Sequence, residues 1–254
     1  MAGEAGAAFI AAAQQLGFRI MPHFNYFAID PNHPLFSRVR DFAMRDVRTR
    51  KLMGWRWKSG VLPFPQGHGR IADFRSTKAM AYLHTGLSLW RRELVRRIGA
   101  AAAELRTPAL FVDQTLCTFD LDNALVENLT CWDGMVALTR ELTELDGPPA
   151  VGGEGLNELS MRYQTFAQAH LFKSWHANCA NFEQLDPVPV GDFLYGDLCR
   201  TMGYANLSGR DEASALRLLV HEKLNALPSL TVREAEEIEN PCPAVRRVLD
   251  RATG

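Results

Sequence analysis

The chain carries almost no net charge: 28 Lys and Arg stand against 29 Asp and Glu, a formal balance of −1. Such a balance gives no electrostatic basis for holding nucleic acid or an anionic membrane surface, and a small neutral substrate fits it better. Cysteine is thin too. The five present, Cys117, Cys131, Cys179, Cys199 and Cys242, are odd in number and show neither a CxxC pair nor finger spacing, which argues against a disulfide framework and a zinc finger. No apolar run approaches the roughly 18 residues that a membrane span requires. The first residues lack the basic stretch of a secretory signal, so the chain as given reads as cytoplasmic. A Walker loop, an HExxH pair and a GxSxG elbow are all missing, which removes the usual phosphate, zinc-protease and serine-hydrolase signatures.

What is present is enough apolar material for a sizeable core. With 254 residues, 47% hydrophobic and 22% charged, the chain has the size of one α/β barrel domain, about 250 residues. Residues 4–16 are Ala-rich, with Phe9, Ala13 and Leu16 on one side and Gly17 placed to end a helix. Residues 18–24 then read as a strand that stops near Pro22, with His23, Asn25, Tyr26 and Asp30 at its tip or in the following loop. Phe36, Val39, Ala43 and Val47 recur at helical spacing. Residues 52–84 read as a long loop in which Trp55, Trp57, Phe64 and Phe74 argue against disorder.

Residues 87–105 form a strong amphipathic helix, with Leu87, Trp90, Leu94, Ile98, Ala101 and Leu105 on one face. A second helix is expected over 133–145 and a third over 159–171, the latter carrying Tyr163, Phe166, Ala167 and His170 on one side. A weak strand over 192–198 and a late helix marked by Leu216, Leu219, Val220, Leu224 and Leu227 complete the pattern. Alternating strands and helices imply a parallel sheet covered by helices.

Two short apolar runs each end on an acid: Ala109, Leu110, Phe111, Val112 and Asp113, then Ala150, Val151, Gly152, Gly153 and Glu154. Each reads as a buried strand with a carboxylate at its C-terminal tip, where α/β barrels assemble active sites. A pair of such acids is the minimal equipment for glycoside hydrolysis. The fold class expected is therefore α/β, a (β/α)8 barrel. Only three clear strands and one doubtful one are legible, and the chain opens on a helix, so the expectation is an incomplete barrel lacking its first strand-helix units, as one domain over residues 1–254.

Residues 17–25 (GFRIMPHFN), 111–115 (FVDQT) and 152–158 (GGEGLNE) resemble the later strands of glycosidase-like (β/α)8 barrels, in particular an uncharacterised bacterial domain family related to α-amylase-type and α-galactosidase-type glycoside hydrolases. In α-amylase-type barrels the strand-four Asp is the nucleophile and the strand-five Glu the general acid/base; α-galactosidase-type barrels share the strand-four Asp and take their acid from strand six. The resemblance implies Asp113 as nucleophile and Glu154 as acid/base, with His23 and Asn25 at the strand-three tip holding sugar hydroxyls. Gln114, Asn157, Glu158 and His176, with Trp55 and Trp57 as stacking platforms, complete the candidate substrate site.

Simpler readings stand beside these. An acid at a strand end often caps a helix or anchors a loop, Glu158 suits the first turn of a helix, and the tryptophans serve equally as packing under long loops. Asp120, Asp122 and Asn123 read as a polar turn, because the Gly and distal Glu of a calcium loop are missing. The glycines around Glu154 do not make a dinucleotide site, since Glu158 would repel a pyrophosphate, so no cofactor is expected. A metal-dependent hydrolase using His23, Asp113, Glu154 and His176 is the alternative, and a non-catalytic carbohydrate-binding barrel fragment the third reading. Open strand edges leave room for a homodimer that covers them.

Overall fold

The computed structural model describes residues 3–56, 67–70, 79–115, 119–147, 149–169, 188–203, 207–209 and 214–253. The elements, in order, are α1 (Glu4–Gln15), β1 (His23–Asn25), β2 (Ala28–Ile29), α2 (Phe36–Val39), β3 (Met53–Arg56), β4 (Gly67–Arg70), β5 (Ala79–Tyr82), α3 (Ser88–Leu105), β6 (Ala109–Asp113), α4 (Cys131–Thr143), β7 (Ala150–Glu154), β8 (Phe166–Ala169), α5 (Val190–Tyr195), β9 (Arg200–Gly203), β10 (Leu207–Ser208), α6 (Ser214–Lys223), β11 (Leu230–Thr231), α7 (Glu236–Glu239) and α8 (Pro243–Thr253). The fold is mixed α/β with a five-stranded parallel sheet in the order β1-β6-β7-β8-β9. The chain forms two compact units, Met1–Val151 and Gly152–Gly254.

In the first unit, α3 and α4 appear where the apolar period places them. Trp90 and Leu94 of α3 and Met135, Leu138 and Leu142 of α4 are buried in a core shared with Leu110, Val112 and Val151. Thr130 starts α4 with a reciprocal cap: its hydroxyl accepts from the Asp133 N–H at 3.1 Å, and the Asp133 carboxylate accepts from the Thr130 N–H at 3.0 Å, so two N–H groups left over at a helix start are satisfied together. Asp122 and Asn123 lie in a turn; Asn123 donates to the Ala43 carbonyl and accepts from the Arg45 N–H, both at 3.0 Å.

Three expectations for this unit are corrected. The region expected to be one long loop holds β3, β4 and β5, which join β2 in an antiparallel sheet of order β2-β5-β3-β4. Tyr82 and Leu83, at the end of β5, are wholly buried with Phe27, and edge-to-face rings (Phe27 and Tyr82, centroids 4.4 Å apart) tie β5 to the chain after β1. The helix expected over 35–47 is only α2 plus a single 3-10 turn, Arg40–Phe42; Met44 then leaves helical geometry to exchange backbone hydrogen bonds with Tyr82 and Met53. The apolar side drawn for α1 does not face a core, because Phe9 and Leu16 are 70% and 78% exposed. Gly17 does end that helix, at φ 89°, a conformation open to glycine without a Cβ clash.

In the second unit, β7, β8 and β9 pair in parallel. Position 152 requires glycine, since a Cβ there would overlap the Phe166 ring of β8. The helix expected over 159–171 is a 3-10 turn (Ser160–Tyr163) followed by β8. Asn157 caps that turn by accepting from the Leu159 and Ser160 N–H groups at 3.0 and 2.9 Å, and Phe166 and Ala167 gain a backbone ladder that a helix would forgo. The weak strand expected over 192–198 is instead α5 and its exit, with β9 following. The late helix is present as α6, which packs with α8 over Leu207, Leu218 and Val245.

Candidate active site

Parallel pairing of β1 with β6 sets Asn25 opposite Asp113 and His23 opposite Phe111. Side chains two residues apart on a strand share a face, so His23, Asn25, Phe111 and Asp113 converge although β1 and β6 are far apart in sequence. His23 Nε2 stands 3.3 Å from Asp113 Oδ1, and its ring meets the Phe111 ring edge-on at 4.6 Å. Asn25 Nδ2 donates to Asp113 Oδ2 at 3.3 Å and to Gln114 Oε1 at 2.7 Å.

The Asn25 amide is oriented by its other end. Its Oδ1 accepts from the Phe27 and Ala28 N–H groups at 3.0 and 2.9 Å, so the nitrogen, with two hydrogens for two acceptors, faces the acid. Gln114 holds its side of the contact from a left-handed backbone, φ 62°, uncommon for a residue with a Cβ and found often at functional sites.

The Asp113 side chain is 29% exposed and that of His23 57%, so solvent reaches both. Burial alone raises the Asp113 pKa; the hydrogen bonds from His23 and Asn25, the charge of His23 and a bond from the Gln114 backbone outweigh it and hold the carboxyl below its ordinary 3.8. The group is an anion at neutral pH, half-buried and held by two donors. Chemically it is equipped to attack an electron-poor carbon or to stabilise a cation.

Glu154 ends β7 and is 8% exposed. Its register partner on β8 is Gln168, whose carbonyl accepts the Gly155 N–H at 2.7 Å. No local signal in the sequence singles out Gln168, because Phe166, Ala167 and Ala169 around it fit a helical period as well as a strand. Asn157 is engaged in the turn that it caps, and Glu158 is exposed. Trp55 lies on β3, half-buried against the core of the first unit. Trp57 and His176 fall outside the described residues. Among the described residues, no three or more His, Cys, Asp or Glu side chains gather as a metal site would require, and no helix is long and apolar enough to cross a membrane.

The fold is similar to that of solved galactoside-processing enzymes. The alpha-N-acetylgalactosaminidase of Bifidobacterium bifidum in complex with GalNAc aligns at TM-score 0.58 and 15% identity over 98% of this chain and 37% of that one. An alpha-galactosidase of Geobacillus stearothermophilus aligns at TM-score 0.56 and 12% identity over 97% of this chain and 32% of that one. The alpha-galactosidase of Thermus thermophilus in complex with stachyose aligns at TM-score 0.56 and 14% identity over 96% and 52%. The chain thus spans about a third to a half of the length of each. No protein-family model matches it, and no curated protein does. The chain has a glycosidase-like fold.

Proposed function

We propose that this chain, as one barrel-like domain over residues 1–254, acts on a carbohydrate as a glycoside hydrolase. Asp113 is the nucleophile and Glu154 the general acid/base. The observation that carries the reading is the carboxylate of Asp113, kept ionised at a strand tip by His23 and Asn25. Its Oδ attacks the anomeric carbon as the bond to the leaving oxygen breaks, and Glu154 gives that oxygen its proton. Water then attacks the glycosyl ester, Glu154 takes the water proton, and Asp113 leaves as the carboxylate. His23 and Asn25 orient the nucleophile and contact the sugar hydroxyls beside it.

The carbohydrates held in two of the similar structures, GalNAc and stachyose, support the substrate class. The α-galactosidase-type pattern takes its acid from strand six, whose counterpart here is β8, and residues 170–187, which follow it, lie outside the described residues. Assay of the purified chain on 4-nitrophenyl and oligosaccharide glycosides decides between the two. Asp113→Asn is expected to remove hydrolysis by about a thousandfold or more, in line with loss of a nucleophile. Glu154→Gln is expected to be as damaging on poor leaving groups and milder on 4-nitrophenyl substrates. Full activity in Glu154→Gln would move the acid to the β8 tip. Undiminished hydrolysis in Asp113→Asn, or no cleavage at all together with unchanged sugar binding in that variant, would remove the reading.

A further inference from the structure

We propose that a cavity in the first unit, next along the chain from Asn25, receives an apolar, ring-sized aglycone of the glycoside; the aglycone assignment rests on the reading above. The cavity measures about 250 Å³ and is walled by Tyr26, Phe119, Leu121 and Trp132, with Ala124, Thr130 and Cys131 completing its lining. Tyr26 follows Asn25 directly. The amide that holds Asp113 through Nδ2 therefore also fixes, through the Phe27 and Ala28 N–H groups at Oδ1, the turn of chain that carries this wall. The Tyr26 carbonyl is pinned from behind by Trp90 Nε1 at 3.0 Å. Thr130, Cys131 and Trp132 bring the start of α4 into the wall, where Thr130 and Asp133 cap one another.

The lining carries no charged side chain, and the polar groups of Thr130, Ala124 and Cys131 are engaged within the protein. The Thr130 hydroxyl donates to Asp133 Oδ2 at 2.6 Å. The Ala124 carbonyl accepts from His84 Nε2 at 3.3 Å, the tautomer being set by the Gly86 N–H, which donates to His84 Nδ1 at 3.0 Å. The Cys131 sulfur lies 3.3 Å from Thr85 Oγ1, and burial pushes its thiol pKa up, so it stays neutral. A sugar ring here would bury hydroxyls with few partners, at a cost of about 1–3 kcal/mol for each one unmet. An apolar ring meets no such penalty and gains the flanking aromatic faces. The size is decisive between one ring and more: an apolar cavity of about 150 Å³ takes benzene, and sites for drug-sized ligands begin near 300 Å³.

Calorimetric titration of the full chain with 4-nitrophenol tests this. Saturable binding is expected, weakened about tenfold or more, the equivalent of about 1.4 kcal/mol or more, both in Ala124→Phe, which fills the cavity, and in Trp132→Ala, which removes a wall; melting curves of each variant confirm folding. The same variants are expected to raise KM for 4-nitrophenyl glycosides and leave that for methyl glycosides unchanged. Absence of 4-nitrophenol binding, or binding that both folded variants retain in full, overturns the proposal. The two readings fail separately. Absence of any glycoside cleavage or sugar binding by the chain, with 4-nitrophenol binding present and lost in Ala124→Phe, overturns the glycosidase reading and with it the aglycone assignment. Hydrolysis lost in Asp113→Asn without any 4-nitrophenol binding overturns the cavity alone.

Discussion

A glycine-to-alanine change in each of the two long helices is expected to move stability in opposite directions. In an exposed helix interior the substitution gains about 0.8–1 kcal/mol from backbone entropy. At Gly99 of α3, a new Cβ meets only the Leu145 side-chain tip, at 3.1 Å for Cδ2 and 3.4 Å for Cδ1, and a Leu tip can give by that much. Gly99→Ala is therefore expected to be stabilising by about 0.5 kcal/mol or neutral. At Gly134 of α4, the Cβ would overlap backbone atoms of Thr85 and Gly86.

That backbone cannot yield cheaply. Arg91 Nη1 donates to the Thr85 and Gly86 carbonyls at 2.7 and 2.8 Å, Thr85 Oγ1 donates to the Cys131 carbonyl at 2.6 Å, and the Gly86 N–H is bound by His84. Overpacking costs about 1–3 kcal/mol, and loosening one charged hydrogen bond adds about 1.5–3. After the helix gain is subtracted, Gly134→Ala is expected to lose about 1.5–5 kcal/mol, which lowers the melting temperature by roughly 3–20 °C in a chain of this size. Thermal and urea unfolding of both variants beside the parent measures the pair. An unchanged or raised melting temperature for Gly134→Ala would refute the close approach of α4 to residues 85–86.

Thr130→Ala should cost about 1 kcal/mol by removing the reciprocal cap of α4, and Thr130→Ser should restore most of it in urea unfolding. Because the Asp113 pKa is lowered in the fold, its contribution to stability is present above the ordinary 3.8 and is lost as pH falls through the folded value. Asn25→Ala is expected to raise that folded pKa and to shrink the loss, which urea midpoints followed from pH 6 down to acid would show. Burial lowers the pKa of His84 against the raising effect of its bond to Ala124, so stability is full above the ordinary 6.5 and declines as pH falls from there toward the folded value. His84→Gln should flatten part of that slope, and burial of His221 acts in the same direction on the remainder.

The helices α3 and α4 and the strands β6 and β7 were legible because burial imposes its period on the sequence: one apolar face in a helix, a continuous run in a strand covered on both sides. The antiparallel sheet of β2 to β5 was not. Its strands are short, glycine at 54 and 69 breaks any alternation, and pairing partners such as Gly54 and Ala81 lie far apart in the chain. The residues of β8 satisfy a helical period, and the ladder with β7 and β9 overrides it. At the site, His23, Asn25 and Asp113 could each be named as strand-tip residues. That the first two hold the third followed only from the parallel register, and nothing local announced the left-handed backbone of Gln114.

The two-ended anchoring of Asn25 makes the site sensitive to the replacement of one nitrogen by oxygen. Hydrolysis of its amide to a carboxylate, or the single-base codon change that does the same, replaces a donor by an anion 3.3 Å from the position of Asp113 Oδ2 and turns an oxygen toward Gln114 Oε1. The repulsion would favour protonation of one of the two carboxyls, so the pair would hold a single shared charge where Asp113 alone now stands as the anion.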